Sequence, residues 1–192
     1  MAGMFERTRE GGTAIALDEV EADILRSLEV QMLELIGPGP VDEPDQDPLA
    51  ALFAEGPTEA PADPALARLF PDAYGEPGES ADAQTKAFAG EFRRYTELDL
   101  RARKREDALH VVRALDSLGG RGGVLEPTGE ERMRWLGALN DLRLTMGVRL
   151  EVVEEDEGGL YQLPDGDERK PLVMAYLWLG AMQESLLEAM AG

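Results

Sequence analysis

The stretch WLGALNDLRL, residues 135–144, sets an amide, a carboxylate and a guanidinium group into an apolar helical pattern. Three such groups could form a hydrogen-bonding site, so their positions around the helix decide which chemistry is open to them. At about 100° per residue, Asn140 and Arg143 fall within a wide apolar face, whereas Asp141 falls on the opposite side. The spacing therefore predicts that Asp141 points to water and that Asn140 and Arg143 point inward.

Arg143 requires a partner in such a face, because burying an unpaired guanidinium group is strongly unfavourable. The last apolar stretch of the chain, WLGAMQESL at 178–186, offers Glu184. We predict that Arg143 contacts Glu184, with Gln183 or Asn140 sharing the network. We interpret this group as a structural polar staple that sets how two helices pack. A role that faces a partner or a ligand is the alternative.

Residues typical of catalytic and metal centres are scarce. The chain has no cysteine and one histidine, His110, so neither thiol chemistry nor a constellation built on several histidines can form within it. Acidic clusters such as EEDEGG and PVDEPDQDP lack the ligand spacing of a calcium loop. We therefore expect no enzyme activity, no cofactor and no metal site.

The basic run RARKR, residues 101–105, is the one candidate for contact with nucleic acid. Acidic residues flank the run, no aromatic residue interrupts it, and the formal net charge of the chain is −20. Phosphate backbones repel a polyanion, so direct DNA contact is disfavoured. We keep these side chains as a candidate partner surface: Arg101, Arg103, Lys104 and Arg105.

The elements that position these residues are mainly helical. A length of 192 residues and a hydrophobic fraction of 43% indicate one folded domain over 1–192. Hydrophobic periodicity and capping residues predict four main helices, at about 18–36, 81–118, 129–146 and from Pro171 onward. A small β element is predicted from an N-terminal hairpin around Gly11 and Gly12 and a strand at 148–153, with 160–163 as a further candidate. The fold class is therefore mainly α (α+β), a helical bundle with a small β element.

Apolar residues at helical spacing indicate which faces pack. In the first helix we expect the core face to carry Val20, Ile24, Leu28, Met32 and Leu35. In the long helix both ends are predicted to pack, through Phe88, Phe92 and Tyr95 at one end and Leu109, Val112 and Leu115 at the other. The polar middle between them is predicted to bridge solvent.

Residues 37–80 are rich in proline, glycine and acidic residues, and we expect a loosely ordered segment. Two similar pieces within it, DPLAALF at 47–53 and DPALARLF at 63–70, each begin with Asp-Pro. Aspartate can cap a helix and proline fits its first turn. These pieces therefore predict two short docked helices.

The chain has no feature that predicts export or membrane insertion. Its N-terminus lacks the apolar run of a secretory signal. The most apolar stretch, 171–182, is shorter than the about 20 residues that span a bilayer, and we expect a buried core helix there. We expect a cytoplasmic protein.

Four stretches together resemble one family. WLGALNDLRLTMGVRLEV (135–152) is preceded by DPALARLFPDAY (63–74) and FRRYTELDLRARK (92–104), and is followed by YLWLGAMQESLLEAM (176–190). In this order they are similar to an actinobacterial family that was long a domain of unknown function and is now named for the AosR-type oxidative-stress regulators. The match covers nearly the whole chain, and its motifs are structural rather than catalytic.

The resemblance implies a cytoplasmic transcriptional regulator of the oxidative stress response that acts with a sigma factor. The acidic charge favours regulation by protein–protein contact, with a sigma factor or an RNA polymerase component as partner. Sensing in the family is attributed to a disulfide, and this chain departs there because it has no cysteine. Regulation is then constitutive, or a partner holds the redox switch, or the role does not extend to this member. The alternative is a non-catalytic helical scaffold or adaptor with no direct role in transcription.

Overall fold

A computed structural model describes residues 3–38, 55–75, 82–152, 163–164 and 166–191 of the chain. Within these ranges there are five helices and a small three-stranded antiparallel sheet, so the predicted mainly α (α+β) class is confirmed. The strands are β1 (Phe5–Arg7), β2 (Thr13–Leu17) and β3 (Gly123–Leu125). The helices are α1 (Glu19–Ile36), α2 (Pro64–Leu69), α3 (Ala83–Asp116), α4 (Gly129–Arg149) and α5 (Lys170–Ala191).

The N-terminal hairpin forms as predicted, and it packs against the helices. Strands β1 and β2 pair with Phe5 opposite Ile15, and Gly11 takes a φ of 83° in the turn between them. The alternation in β2 buries Thr13, Ile15 and Leu17. A half-buried strand of this kind turns one row of side chains to the core. The ring of Phe5 accordingly packs edge-on against the ring of Trp135.

The third strand differs from the prediction. It is β3, which pairs Leu125 with Ile15, whereas residues 148 and 149 still belong to α4 and the predicted strand at 148–153 is wrong over its described part. The glycine-rich run at 119–123 allows this, since Gly122 has a φ of 68° and passes where a Cβ would lie 2.6 Å from the Leu17 carbonyl oxygen. Residue 153 and most of the candidate strand at 160–163 lie outside the described residues.

Helix α4 continues past Gly147 because a Schellman motif closes it later. The Val152 amide donates to the Gly147 carbonyl at 2.9 Å, and the Glu151 amide donates to the Val148 carbonyl at 3.1 Å. Glu151 has a φ of 54°, a left-handed conformation in which glycine is usual. The alternation in VRLEV, residues 148–152, therefore reflects a helix end and its cap.

The local signals that begin helices are confirmed. Asp18 and Glu21 form a capping box at the start of α1, and Thr128 and Glu131 form one at the start of α4. The side chain of Asp63 caps α2, in which Pro64 occupies the first position. Helix α3 begins after Asp82, whose side chain caps it, and the other predicted short helix, at 47–53, lies outside the described residues.

The buried face of α1 overlaps the predicted one only in part: Met32 is buried and Leu28 and Leu35 pack against the core, as predicted. Leu25, Glu29 and Met32 are buried, whereas Val20 is 64% exposed and Ile24 is 44% exposed. The face that packs is centred on a carboxyl group. Hydrophobic periodicity places such a residue on the water side, because glutamate is rarely buried.

Helix α4 lies at the centre of the fold. Its predicted stripe is buried, with Trp135, Leu139, Leu142 and Met146 all nearly inaccessible, and α2, α3 and α5 pack around it. Helix α5 contributes buried residues such as Leu179 and Met182, which confirms the core helix expected there. Among the described residues, no helix combines the length and apolar character needed to cross a membrane.

Glycine at position 151 should stabilise the protein. A non-glycine residue in the left-handed region costs roughly 1–2 kcal/mol, so we expect Glu151→Gly to raise the free energy of unfolding by about 1 kcal/mol. Urea denaturation followed by circular dichroism measures the change. Arg149→Gly, two residues earlier and still helical, is the matched control and should be destabilising. A loss of stability in both variants would contradict the Schellman assignment.

Candidate functional site

One side of the polar middle of α3 turns inward and binds neighbouring segments, whereas Asp99, Arg103 and Glu106 are exposed. The expectation that this segment bridges solvent is therefore wrong for its inward side. Arg93 and Glu97 are both buried and form an ion pair. The guanidinium group of Arg93 also donates to the Phe70 carbonyl oxygen at 3.0 Å and to Asp72 Oδ1 at 2.8 Å. This buried pair therefore attaches the end of α2 to the long helix.

Two arginines of the basic run bind the end of α1. Arg101 Nη1 donates to the Ile36 carbonyl oxygen and Arg105 Nη1 donates to the Gly37 carbonyl oxygen, each at 2.9 Å. Carbonyl groups at a helix C-terminus lack intrahelical partners and carry partial negative charge, so guanidinium groups stabilise them. Arg101 also lies over the ring of Phe70, 4.3 Å from its centroid.

The candidate partner surface is therefore mostly used inside the molecule. Arg101, Lys104 and Arg105 are partly buried and contact other elements, and only Arg103 is exposed on the run. The sequence could not show this, because the acceptors lie far away in the chain. The side chains of the run therefore bind α1 and α4 within the molecule.

Asp141 is buried, so the prediction that it points to water is wrong. Lys104 Nζ donates to Asp141 Oδ1 at 2.6 Å, and Asn140, which is exposed, contributes a further hydrogen bond to the same carboxyl group. Both sides of α4 are covered, because α3 packs on the side opposite the apolar stripe. Burial raises the pKa of Asp141, and the hydrogen bond from Lys104 opposes that rise.

Removing Lys104 should leave a buried carboxylate without its cation. We expect Lys104→Met to lower the free energy of unfolding by about 3 kcal/mol at pH 7, because unpaired buried charges are strongly destabilising. The double variant Lys104→Met/Asp141→Leu should recover most of that loss. Urea denaturation measures both. Arg103→Met, on the exposed neighbour, should unfold like the wild-type protein, and an equally stable Lys104→Met would disprove the pairing.

Glu29 is a buried carboxyl group at the junction of α1, α3 and α4, and sequence reasoning missed it. Neither of its carboxyl oxygens has a hydrogen-bond partner among the described residues. Burial, together with the nearby charges of Asp141 and Asp107, raises the pKa of Glu29 to about 8. Gly137 allows Asp107 to lie close to α4, since a Cβ at position 137 would lie 2.9 Å from Asp107 Oδ2. At neutral pH, Glu29 is thus mainly protonated.

Glu29 should make the protein less stable as the pH rises. An unfolded glutamate ionises near 4.5, whereas folded Glu29 keeps its proton up to about 8, so stability falls between these values and is unaffected below both. Glu29→Gln removes the titration. We expect its advantage in unfolding free energy over wild type to grow by about 3 kcal/mol from pH 5 to pH 8 in urea denaturation.

Glu34→Gln is the matched control for this experiment. Glu34 lies on the same helix and is exposed, so its substitution should give an unfolding free energy difference that changes little with pH. A pH-independent difference for Glu29→Gln would contradict the buried, protonated state of Glu29.

The polar staple forms through Gln183, which was predicted to share it, and without Glu184. Arg143 Nη1 donates to Gln183 Oε1 at 2.8 Å, and the guanidinium group lies 5.3 Å from the ring centroid of Tyr176. Glu184 is exposed, so the predicted Arg143–Glu184 contact is replaced by the contact with Gln183. Gly180 leaves the space, since a Cβ there would lie 3.3 Å from Arg143 Nε. The structural role of the staple stays a prediction, and Asn140 does not share it, since it lies on the water side.

An exposed aromatic patch lies along the N-terminal half of α3 and includes one residue that precedes this helix. It consists of Tyr74, Phe88, Phe92 and Tyr95, which are 49%, 55%, 47% and 67% exposed. The prediction that the last three pack in the core is therefore wrong: their spacing places them on one face, but this face is turned away from α1 and α4. Tyr74 lies across the patch, with its ring centroid 6.4 Å from Phe88 and 6.0 Å from Phe92.

Among the described residues, His110 and the carboxyl groups with raised pKa do not line the same cleft. His110 lines a cleft of about 310 Å³ and has Nε2 3.9 Å from Glu131 Oε1, but Glu131 already caps α4 by accepting from the Thr128 amide. The carboxyl groups with raised pKa, those of Glu29, Asp107 and Asp141, are not among the residues that line this cleft. Within the described ranges, no group of three or more histidine, aspartate or glutamate side chains is arranged to hold a metal ion.

One sequence signal could have revealed part of the buried network. Arg93, Glu97 and Arg101 follow at i, i+4 and i+8, and the two arginines bind opposite oxygens of Glu97. Such a ladder places three charges on one side of a helix. The spacing does not say whether that side faces water, and only the apolar neighbours of the packed structure decide it.

Comparison with known proteins confirms the family resemblance. A family described as a domain of unknown function, DUF2017, matches residues 1–190. "Oxidative stress regulator AosR" of Mycobacterium tuberculosis is 31% identical over 122 residues, which are 64% of this chain and 53% of that protein. The protein of the same name from Mycobacterium bovis matches equally. The chain spans about half the length of these curated relatives. No solved structure matches it significantly.

Proposed function

This chain belongs to the DUF2017 family, and from that premise we propose that it regulates transcription in the oxidative stress response through protein–protein contact. The regulatory part of the proposal is supported by the similarity to two proteins named as oxidative stress regulators. A regulator of transcription acts where the DNA is, and we therefore propose that the protein is cytoplasmic. The partner that we propose is a sigma factor or another component of RNA polymerase.

We favour protein contact over DNA contact because most side chains of the basic run are already bound within the molecule. Arg101, Lys104 and Arg105 bind oxygens of α1 and α4 within the molecule. Binding phosphate groups through them would require breaking those contacts. The formal charge of −20 adds a long-range repulsion from DNA. The same charge attracts the basic surfaces of proteins that do bind DNA.

The absence of cysteine limits how a signal can reach this protein. Neither a disulfide nor a sulfenic acid can form in the chain, so oxidants cannot be sensed by thiol chemistry within it. In our proposal the chain is regulated by its partner or by its own abundance. It serves as the contact element of the response, without any catalytic role.

Transcript profiling of a gene deletion tests the regulatory part. We expect oxidant-induced transcripts to change in the deletion strain and to return when the wild-type chain is supplied. Two further measurements test how the protein acts. A gel shift on promoters of the affected genes detects DNA binding, and purification of the protein from oxidant-stressed cells detects bound RNA polymerase subunits. We expect no shift by the protein alone and recovery of polymerase subunits. Specific DNA binding without any recovered subunit would overturn the protein-contact mechanism.

A helical scaffold or adaptor with no direct role in transcription is the second candidate. The rigid internal network of α3, which fixes α1, α2 and α4, suits such a role as well as it suits regulation. An unchanged transcript profile in the deletion strain, with stable complexes still recovered on purification, would favour the scaffold over the regulator.

A further inference from the structure

We infer that the aromatic patch of Tyr74, Phe88, Phe92 and Tyr95 is a docking site for a partner segment that combines an apolar face with flanking lysine or arginine residues. This inference rests on the proposed function, because it specifies the surface through which that function is exerted. It goes further in naming the chemistry of the partner.

The distribution of aromatic residues marks this patch as unusual. The other aromatic residues that the structure describes, such as Phe5, Phe70 and Trp135, are buried or partly buried. Every described aromatic residue with a largely exposed side chain lies in the patch. Single exposed apolar side chains are common on proteins, but a contiguous group of large ones typically marks an interaction site. Aromatic side chains also contribute most to the free energy of binding at interfaces.

The patch is held in place from beneath, which suits it for binding. Phe92 lines a cleft of about 240 Å³ together with Ala89 and Leu100, and the buried Arg93–Glu97 pair forms part of its wall. Arg93 holds Asp72, two residues before Tyr74. A surface fixed in this way loses little conformational entropy when a partner binds.

The charges around the patch select a basic partner. Glu91 and Asp99 are exposed and, at about 100° per residue, lie on the same side of α3 as the aromatic residues; the exposed Arg103 and Glu106 lie further along that side. Arg94, at the edge of the patch, is already paired with Glu55 and lies 3.8 Å from Glu91. The rim is thus net acidic, and lysine or arginine residues beside an apolar face would complement it.

A second copy of this chain is the occupant that the charges disfavour. Pairing two patches would bring two acidic rims together between molecules that each carry a formal charge of −20. Like charges facing each other across an interface are destabilising. A partner of opposite charge avoids this repulsion.

Binding of a labelled peptide to the full chain tests the inference. The probe is a helical peptide of about 15 residues with leucine on one face and lysine on the flanks, and its counterpart carries glutamate in place of lysine. Fluorescence anisotropy should show binding of the lysine peptide only. We expect the double variant Phe88→Ser/Phe92→Ser, which keeps the charge of the protein, to weaken that binding by roughly tenfold or more.

The matched control is Val20→Ser/Ile24→Ser, which removes two exposed apolar side chains from α1 and should bind the peptide like the wild-type protein. Circular dichroism of each variant confirms its fold. Equal binding by the patch variant, meaning that bulk charge alone holds the peptide, would overturn the inference. Equal binding of both peptides would also overturn it. So would sedimentation of the wild-type protein as a dimer that Phe88→Ser/Phe92→Ser dissociates, because the occupant would then be a second copy.

Failure here and failure of the proposed function give different results. If the deletion strain shows altered transcripts but the patch variant binds the peptide normally, regulation stands and this surface does not. If the patch variant alone loses peptide binding while the deletion changes no transcripts, the docking site stands and transcription is not its purpose.

Discussion

A charged side chain in a helix that other elements cover has to be met by groups of those elements, and this constraint organises the whole protein. Helix α3 carries Arg93, Arg101 and Lys104 on the sides where α1, α2 and α4 approach. Each of these side chains binds an oxygen at a definite point: the carbonyl of Phe70, the carbonyl of Ile36 and the carboxyl group of Asp141. Hydrophobic burial drives the elements together, and these contacts set where along α3 each one stops.

How much of this could be predicted depended on the sequence distance of the interactions. Capping boxes such as Asp18 with Glu21 join residues three apart, so the helix starts were predictable from local chemistry. The Lys104–Asp141 pair joins residues 37 apart, and no local pattern shows that Asp141 is covered. Glu29 was missed for the same reason, since only the packing of α1 buries it. Strand β3 has three residues, too few for any periodicity to show.

The structure reverses the usual placement of two residue classes, and the reversal bears on function. Charged residues of α3 that resembled a binding surface serve inside, while the aromatic residues of the same helix that resembled core remain outside. The described part of the chain has its exposed aromatic residues gathered in one place, and the chain has no cysteine and a formal charge of −20. Two relatives named as oxidative stress regulators support the regulatory part of the proposal, and the character of this surface supports protein–protein contact as its means.

The pairing of Lys104 with Asp141 inside the molecule is the contact of α3 that lysine labelling can measure. The lysines of the chain are Lys86, which is exposed on α3, Lys104, which is paired with Asp141, and Lys170 at the start of α5. Brief treatment of the native protein with an amine-specific reagent, followed by mass spectrometry, gives the rate at each site. The account predicts that Lys104 reacts far more slowly than Lys86 and reaches the rate of Lys86 once the protein is unfolded in urea. Equal rates for Lys86 and Lys104 in the native protein would contradict it.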